Sequence, residues 1–132
     1  MEQILSIQST VTIGFVGNNV AGPVITHLGH QPLLVNTVTL AAHPGYGLIA
    51  GGPMPDATFN AILSALPSLN RLQNIGTIIT GYLGAPTQVN AITELIKAYE
   101  EGMVADEEEM KAVLKLAGEL QRIAKTSHPL TP

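Results

Sequence analysis

The stretch Ile4-Leu5-Ser6-Ile7-Gln8-Ser9 is a short apolar run, rich in β-branched residues, that leads into small polar residues and glycine. A run of this length and composition is typical of a strand buried in a parallel sheet. Beyond it, apolar residues from Val20 to Leu28 recur at helical spacing, with Asn18 as the predicted N-cap and Gly29 as the predicted C-terminal stop. The chain therefore opens with a strand, a glycine-containing loop and a helix.

The same order of strand, loop and helix recurs twice more along the chain. Residues 32–40 and 75–80 are apolar and β-branched, and we predict them as the second and third strands. Helices are predicted to begin at Asp56, as an N-cap, and at Pro86. Residues 41–55 are rich in glycine and proline, which predicts a loop or an irregular edge hairpin. Three successive units of this kind predict an α/β fold with a mainly parallel sheet and flanking helices.

The composition limits the classes of protein to be considered. The chain has 132 residues, of which 45% are hydrophobic, and this predicts one domain with one core. The net charge of −4 argues against nucleic acid as a partner, because phosphate binding needs clustered Lys and Arg. No apolar stretch approaches the roughly 20 residues that span a bilayer, and the start lacks the basic residues of a signal peptide. We therefore expect no membrane partner and a cytoplasmic location.

Formal charges are distributed unevenly along the chain. From Gln3 to Ile92 the only charged side chains are Asp56 and Arg71, whereas residues 94–125 hold nearly all the others. A free-standing domain usually distributes charge over its whole surface. We therefore expect the charge-poor region to be covered in part, either by a partner subunit or by the remainder of a larger fold.

Four separated motifs carry a resemblance to a known family. The opening strand followed by Gly14-Phe15-Val16-Gly17-Asn18 resembles the opening signature of pyridoxal kinases, a branch of the ribokinase-like superfamily. Three further motifs follow in the order and spacing of that family, and this combination is far more specific than a lone glycine loop: Val35-Asn36-Thr37-Val38, His43-Pro44-Gly45-Tyr46-Gly47 and Thr80-Gly81-Tyr82-Leu83-Gly84. The resemblance covers residues 1 to about 101 and implies a three-layer ribokinase-like fold.

The resemblance also implies a binding site for pyridoxal or a related B6 vitamer at the C-terminal ends of the strands. Ser9 is implied to contact the ring nitrogen, and Tyr82 is implied to pack near the ring. A pyridine ring needs flat apolar contact and a few orienting polar groups, and a serine hydroxyl can donate or accept a hydrogen bond. The remaining implied site residues are three apolar walls and two loop residues: Val16, Val38, Leu40, His43 and Tyr46.

Two positions depart from the commoner family pattern, and three site residues have other interpretations. Thr10 stands where many members have histidine, and Pro44 stands where several have a ligand-contacting threonine, so both bear on affinity and substrate choice. Without the resemblance, Ser9 is equally well a turn former and Tyr82 a boundary aromatic. His43 is interpreted either as part of the loop structure or as a ligand contact.

The family activity implied by the resemblance is ATP-dependent phosphorylation of the 5′-hydroxymethyl group of pyridoxal, with ATP and Mg²⁺ as expected cofactors. Family members use a Gly-Thr-Gly-Asp motif, whose glycine amides bind anionic oxygens and whose aspartate is the general base. This motif does not occur in the chain, so we predict no catalytic residue, no ATP site and no metal site here. Residues 102–132 are interpreted as an added helix or as a rejoined C-terminal piece.

Three hypotheses about function remain open at this point. The first is a pyridoxal kinase represented by an incomplete chain. The second is a non-catalytic module that binds B6 vitamers or oligomerises through its uncharged surface, for which we expect a homodimer. The third is an unrelated α/β assembly protein, which would require all four motifs to match by chance.

Overall fold

The structure, a computed structural model, describes residues 2–69 and 74–102. In this part of the chain, strands and helices alternate and form an α/β fold, as predicted. The elements are β1 (Gln3–Ile13), α1 (Asn18–His27), β2 (Gln31–Ala42), a 3₁₀ turn (Pro44–Tyr46), β3 (Gly51–Pro53), α2 (Asp56–Ser68), β4 (Ile75–Thr80) and α3 (Pro86–Gly102).

The sheet has the strand order β3-β2-β1-β4 and is mostly parallel. β1 lies between β2 and β4 and is parallel to both, whereas β3 is antiparallel to β2 at the edge. The short strand β3, together with the 3₁₀ turn before it, confirms the predicted irregular edge hairpin over residues 41–55.

The helices cover opposite faces of the sheet, which gives three layers. Alternate residues of a strand point to opposite faces. Leu5 and Ile7 of β1 are fully buried in a core that includes α2 and α3, whereas Ser6 between them contacts α1 through Asn18. The core on the α2 and α3 side also holds Val35, Phe59, Leu63, Ile75, Ile78, Ile92, Leu95 and Tyr99.

β1 and β2 are longer than predicted and extend past the end of β4. Val11 pairs with Leu40, and Ile13 pairs with Ala42. On the other edge of this extension, the Asn19 amide replaces a neighbouring strand: its Nδ2 donates to the Val11 carbonyl at 2.7 Å, and its Oδ1 accepts from the Val11 N–H at 2.8 Å. Threonine and valine favour extended backbone, so the polar residues after Ser9 did not end the strand.

Asn18 does not cap α1, and this prediction is wrong. Gly17 holds the N-cap position, and Asn18 is a buried residue of the first turn. Its side chain accepts from the Ser6 hydroxyl at 2.8 Å and donates to the Val35 carbonyl at 3.0 Å and to the Asn36 side chain at 2.9 Å. Asn18 therefore joins the start of α1 to both central strands.

The predicted cap at Asp56 is also wrong, whereas the predicted end of α1 is confirmed. Pro55 holds the N-cap position of α2, and the Asp56 carboxylate accepts from the Thr87 hydroxyl at 2.8 Å, which links α2 to α3. At the end of α1, Gly29 has a φ of 86° and its N–H donates to the Thr26 carbonyl at 3.0 Å. A left-handed glycine in this position commonly ends a helix.

The described residues end with α3 at Gly102. The added helix or rejoined C-terminal piece predicted over residues 102–132 therefore lies outside them, apart from Gly102 itself. Over residues 2–69 and 74–102, no helix is long and apolar enough to cross a membrane.

We predict that Asn18→Ala lowers the free energy of unfolding by about 2–4 kcal/mol, because it removes the acceptor of the buried Ser6 hydroxyl and the side-chain donor to the Val35 carbonyl. Urea denaturation of the purified chain measures this difference. Asn90→Ala is the matched control, because Asn90 is exposed on α3, and its effect should stay within about 0.5 kcal/mol. Equal stability of the two variants would contradict the role of Asn18.

Candidate functional site

β4 ends at Thr80 beside the middle of β1, which leaves a step in the C-terminal edge of the sheet. Ile7 pairs with Val35 on one side and with Thr80 on the other. Directly after β4, the Gly81 N–H donates to the Ile7 carbonyl at 2.9 Å, so the loop over residues 81–85 begins beside the middle of β1. Open parallel sheets bind their ligands at this edge.

The pairing of β1 with β2 shifts by one residue at this edge. Gln8 pairs with Asn36 and Thr10 with Thr39, so that Thr37 and Val38 both lie opposite Ser9. An extra residue of this kind bends its strand and redirects its side chains, and such bulges occur often next to active sites. The shift therefore places Ser9 beside the irregular part of β2.

The loop carrying Tyr82 packs against this irregular part. The Thr37 hydroxyl donates to the Tyr82 carbonyl at 2.6 Å. A Cβ atom added to Gly84 would lie only 2.4 Å from a methyl group of Val38, so only glycine allows this close approach. Val38 is consequently buried under the loop, whereas the Tyr82 side chain is 58% exposed at the edge.

The Val16-Gly17 segment lies directly over Ser9. Gly17 has a φ of 53°, and a Cβ atom added to it would lie 2.1 Å from the Ser9 carbonyl oxygen and 2.7 Å from the Ser9 hydroxyl. Positive φ and this lack of space both require glycine at the start of α1. Ser9, Val16, Val38 and Tyr82 are thus on segments that meet at the same edge.

Leu40, His43 and Tyr46 lie further along the chain from this meeting point. Leu40 is half-buried and pairs with Val11 on β1 and with Gly51 on β3. The His43 Nδ1 accepts from the Gly45 N–H at 2.9 Å, so this imidazole stabilises the 3₁₀ turn. Tyr46 lies in that turn and is 73% exposed. The interpretation of His43 as part of the loop structure has this direct support.

The edge carries little formal charge in the described part of the chain. Asp56 at the start of α2 is the charged residue nearest to it, and its carboxylate is engaged by Thr87. Lys97 forms an exposed ion pair with Glu94 further along α3, at 3.5 Å. Within residues 2–69 and 74–102, no group of three or more His, Cys, Asp or Glu residues could hold a metal ion. These residues do not fit a Mg²⁺-nucleotide, which needs cationic and acidic groups together.

Sequence reasoning missed two buried polar residues at this edge. Thr37 is part of the motif Val35-Asn36-Thr37-Val38, but a threonine in a predicted strand carries no sign of a buried hydrogen bond. Gln88 lies in the first turns of α3 and is only 1% exposed, although glutamine usually faces solvent. A polar residue among helical positions carries no sign that it is buried, so no sequence signal marks Gln88.

The comparisons with known proteins agree with the motifs. No family model matches the chain. It is 37% identical over 98 residues to the pyridoxine/pyridoxal/pyridoxamine kinase of Bordetella avium, a match that covers 74% of this chain and 33% of that protein. The chain therefore spans about a third of the length of the curated relatives it matches.

Solved structures of pyridoxal kinases have the same fold. The enzyme of Trypanosoma brucei is 31% identical with a TM-score of 0.73, over 93% of this chain and 47% of that one. The enzyme of Leishmania donovani in complex with ADP and pyridoxine is 28% identical with a TM-score of 0.65, over 86% and 46%. The fold is thus that of the ribokinase-like class of α/β proteins. Within this class, the chain is related to the pyridoxal kinases and resembles their N-terminal portion, as the motifs predicted.

Proposed function

We propose that this chain forms the vitamin B6-binding part of a pyridoxal kinase. The proposal is supported above all by one observation: the segments carrying Ser9, Val16, Val38 and Tyr82 meet at the C-terminal edge of the sheet. Leu40, His43 and Tyr46 complete the proposed site from the neighbouring strand and turn. The ligand is pyridoxal or a related vitamer, in keeping with the pyridine compounds named in the structures of the relatives.

The geometry of this edge suits a flat, weakly charged ring. The exposed Tyr82 side chain offers an aromatic surface to a ligand. The loop that carries it packs on buried Val38. The Ser9 hydroxyl can donate to or accept from a ring nitrogen. The net charge of −4 favours a B6 vitamer over nucleic acid as the ligand. A cytoplasmic location is also part of the proposal.

Phosphorylation of the vitamer by ATP is the activity we propose for the complete family member. The transfer needs positive charge on the phosphates and a proton acceptor beside the substrate hydroxyl. In the described part of the chain, Asp56 alone stands near the edge as a charged group, and it is bonded to Thr87. The Gly-Thr-Gly-Asp motif that supplies the anion-binding amides and the general base in the family does not occur in the sequence, and we propose on this ground that the 132-residue chain binds the vitamer without transferring phosphate.

A second candidate function, an oligomerisation module, has one specific observation in its favour. Val20 and Val24 on α1 and Leu28 at its C-cap follow one another at intervals of four residues and are 42%, 48% and 66% exposed. Residues at this spacing lie on one face of a helix, so they form an apolar stripe. We propose that this stripe contributes to a homodimer.

We predict that pyridoxal binds the purified chain and that Ser9→Ala weakens binding about 5–10-fold, the loss expected for one hydrogen bond to a ring nitrogen. Isothermal titration measures both affinities. Ser64→Ala on α2 is the control, because Ser64 is exposed and bonds only within its own helix. If the unaltered chain does not bind pyridoxal, or if Ser9→Ala has no effect, the proposed site is wrong.

We also predict that the chain with ATP, Mg²⁺ and pyridoxal forms no pyridoxal phosphate above the level of a buffer control. Chromatographic detection of pyridoxal phosphate measures this directly. A full-length pyridoxal kinase assayed in parallel shows that the conditions support turnover. Robust product formation by the 132-residue chain would overturn the proposed division of roles.

For the dimer, we predict that Val24→Lys lowers the association constant at least about 10-fold, because it places a charge in the middle of the α1 stripe. Sedimentation equilibrium measures association of the purified chain. Val89→Lys is the matched control, since Val89 is exposed to a similar extent on α3, outside the stripe. An unaltered chain that remains monomeric at high concentration would contradict the dimer.

A further inference from the structure

We infer that Thr37 and Gln88 are positioning residues that hold the Tyr82 loop, residues 81–85, in place beside Ser9. The expected effect of these residues on vitamer binding rests on the proposed function. Their role in holding the loop rests on the hydrogen bonds of the structure. Neither side chain needs to contact the vitamer.

Gln88 connects three parts of the structure through one buried amide. Its Nε2 donates to the Thr37 carbonyl at 2.9 Å, and its Oε1 accepts from the Gly84 N–H at 2.8 Å. The side chain is 1% exposed, so water does not replace either bond. The start of α3, the irregular part of β2 and the Tyr82 loop are thereby held in one arrangement.

Thr37 supplies the other connection to the same loop. It is fully buried, and its hydroxyl donates to the Tyr82 carbonyl at 2.6 Å. Its carbonyl accepts from Gln88 and also from the Met54 N–H at 2.9 Å, next to the pairing of Val38 with Pro53. The Tyr82 loop is therefore held at Tyr82 by the Thr37 side chain and at Gly84 by Gln88.

The residue types at these positions follow from what the bonds require. A glutamine side chain offers one acceptor and a donor group at its end, and here both are used. A carboxylate at this position could accept from Gly84 but could not donate to Thr37, and a leucine could do neither. Because the site is buried, the carboxylate would face the Thr37 carbonyl oxygen with no proton between them, and leucine would leave the Gly84 N–H without its acceptor.

The position of the Tyr82 ring depends on these bonds more than on packing. The ring is largely exposed, so few contacts restrain it directly. Residues 81–83 have no helical or strand conformation of their own. Two other contacts restrain the ends of this loop, the Gly81 bond to Ile7 and the close approach of Gly84 to Val38. Together with them, the bonds from Thr37 and Gln88 determine where the backbone of Tyr82 lies.

The first test uses Gln88→Glu, which keeps the shape of the side chain. At pH 8 the carboxylate cannot donate to Thr37, and we expect affinity for pyridoxal about 10-fold below that of the unaltered chain. Burial favours the neutral carboxyl, which again offers one donor and one acceptor, so this ratio should shrink when the measurement is repeated at pH 5.5. Both proteins are measured at each pH, so a change in the protonation of pyridoxal itself affects both affinities equally and cancels in their ratio. Gln31→Glu at the opposite end of the sheet is the control and should keep a ratio near one at both pH values.

The second test uses Thr37→Val, which removes the hydroxyl at nearly constant shape, and Thr37→Ser, which keeps it. We expect about 5–10-fold weaker pyridoxal binding for the valine variant and near-normal binding for the serine variant. A role in packing alone would give the reverse order, because serine leaves a cavity and valine does not.

A measurement without ligand separates this inference from the proposed function. Hydrogen exchange of the Gly84 amide, followed by NMR, should be at least about 10-fold faster in Gln88→Leu, which offers no acceptor, relative to the change at buried strand amides. If the unaltered chain binds pyridoxal but both tests leave affinity unchanged, the inference is wrong and the proposed function stands. If the chain binds no pyridoxal, the proposed function fails, and Gly84 exchange decides the positioning role: faster exchange supports it, and equal exchange overturns it.

Discussion

The hydrogen-bonded pairing of β1 with parallel strands on both sides is the constraint on which the rest of the structure depends. Parallel neighbours require crossover connections, and these carry the chain across the faces of the sheet as helices. Leu5 and Ile7 are fully buried as a result, and they form the centre of the core against α2 and α3. The same pairing places the end of β4 beside the middle of β1, with β2 on the other side, and the segments of the proposed site meet there.

Buried polar side chains determine how the helices are placed relative to that edge. Asn18 bonds to both central strands from the first turn of α1, and Gln88 bonds to β2 and to the Tyr82 loop from the first turns of α3. Each such group would cost free energy if a shift of the helix broke its bonds, because no water is available to replace them. Apolar packing tolerates small shifts, whereas these bonds do not. The edge therefore has a defined shape even where its backbone is irregular.

The charge-poor edge and the similarity to pyridoxal kinases point to the same division of roles. A pyridine ring is bound by apolar surface and a few oriented polar groups, which this part of the fold can supply without charged residues. Phosphate transfer instead requires concentrated charge. The described residues carry the first kind of surface at the strand ends, and the chain spans about a third of the relatives' length. The B6 ring and the nucleotide are thus proposed to be handled by different parts of the family fold.

The sequence by itself determined which segments form strands and helices, because apolar periodicity and local signals act within a few residues. The strand at Ile75–Thr80, the helix beginning at Pro86 and the stop at Gly29 all agree with the structure. The four motifs in their order also indicated the family, because together they match the family at many positions along the chain. Local signals did not reveal that Asn18 and Asp56 bond across elements, because a capping residue and a residue that bonds to a neighbouring element look the same in sequence. Only the tertiary structure brought Gln88 to Thr37, 51 residues away, since a side-chain amide takes whichever partner the packed strands and helices place beside it.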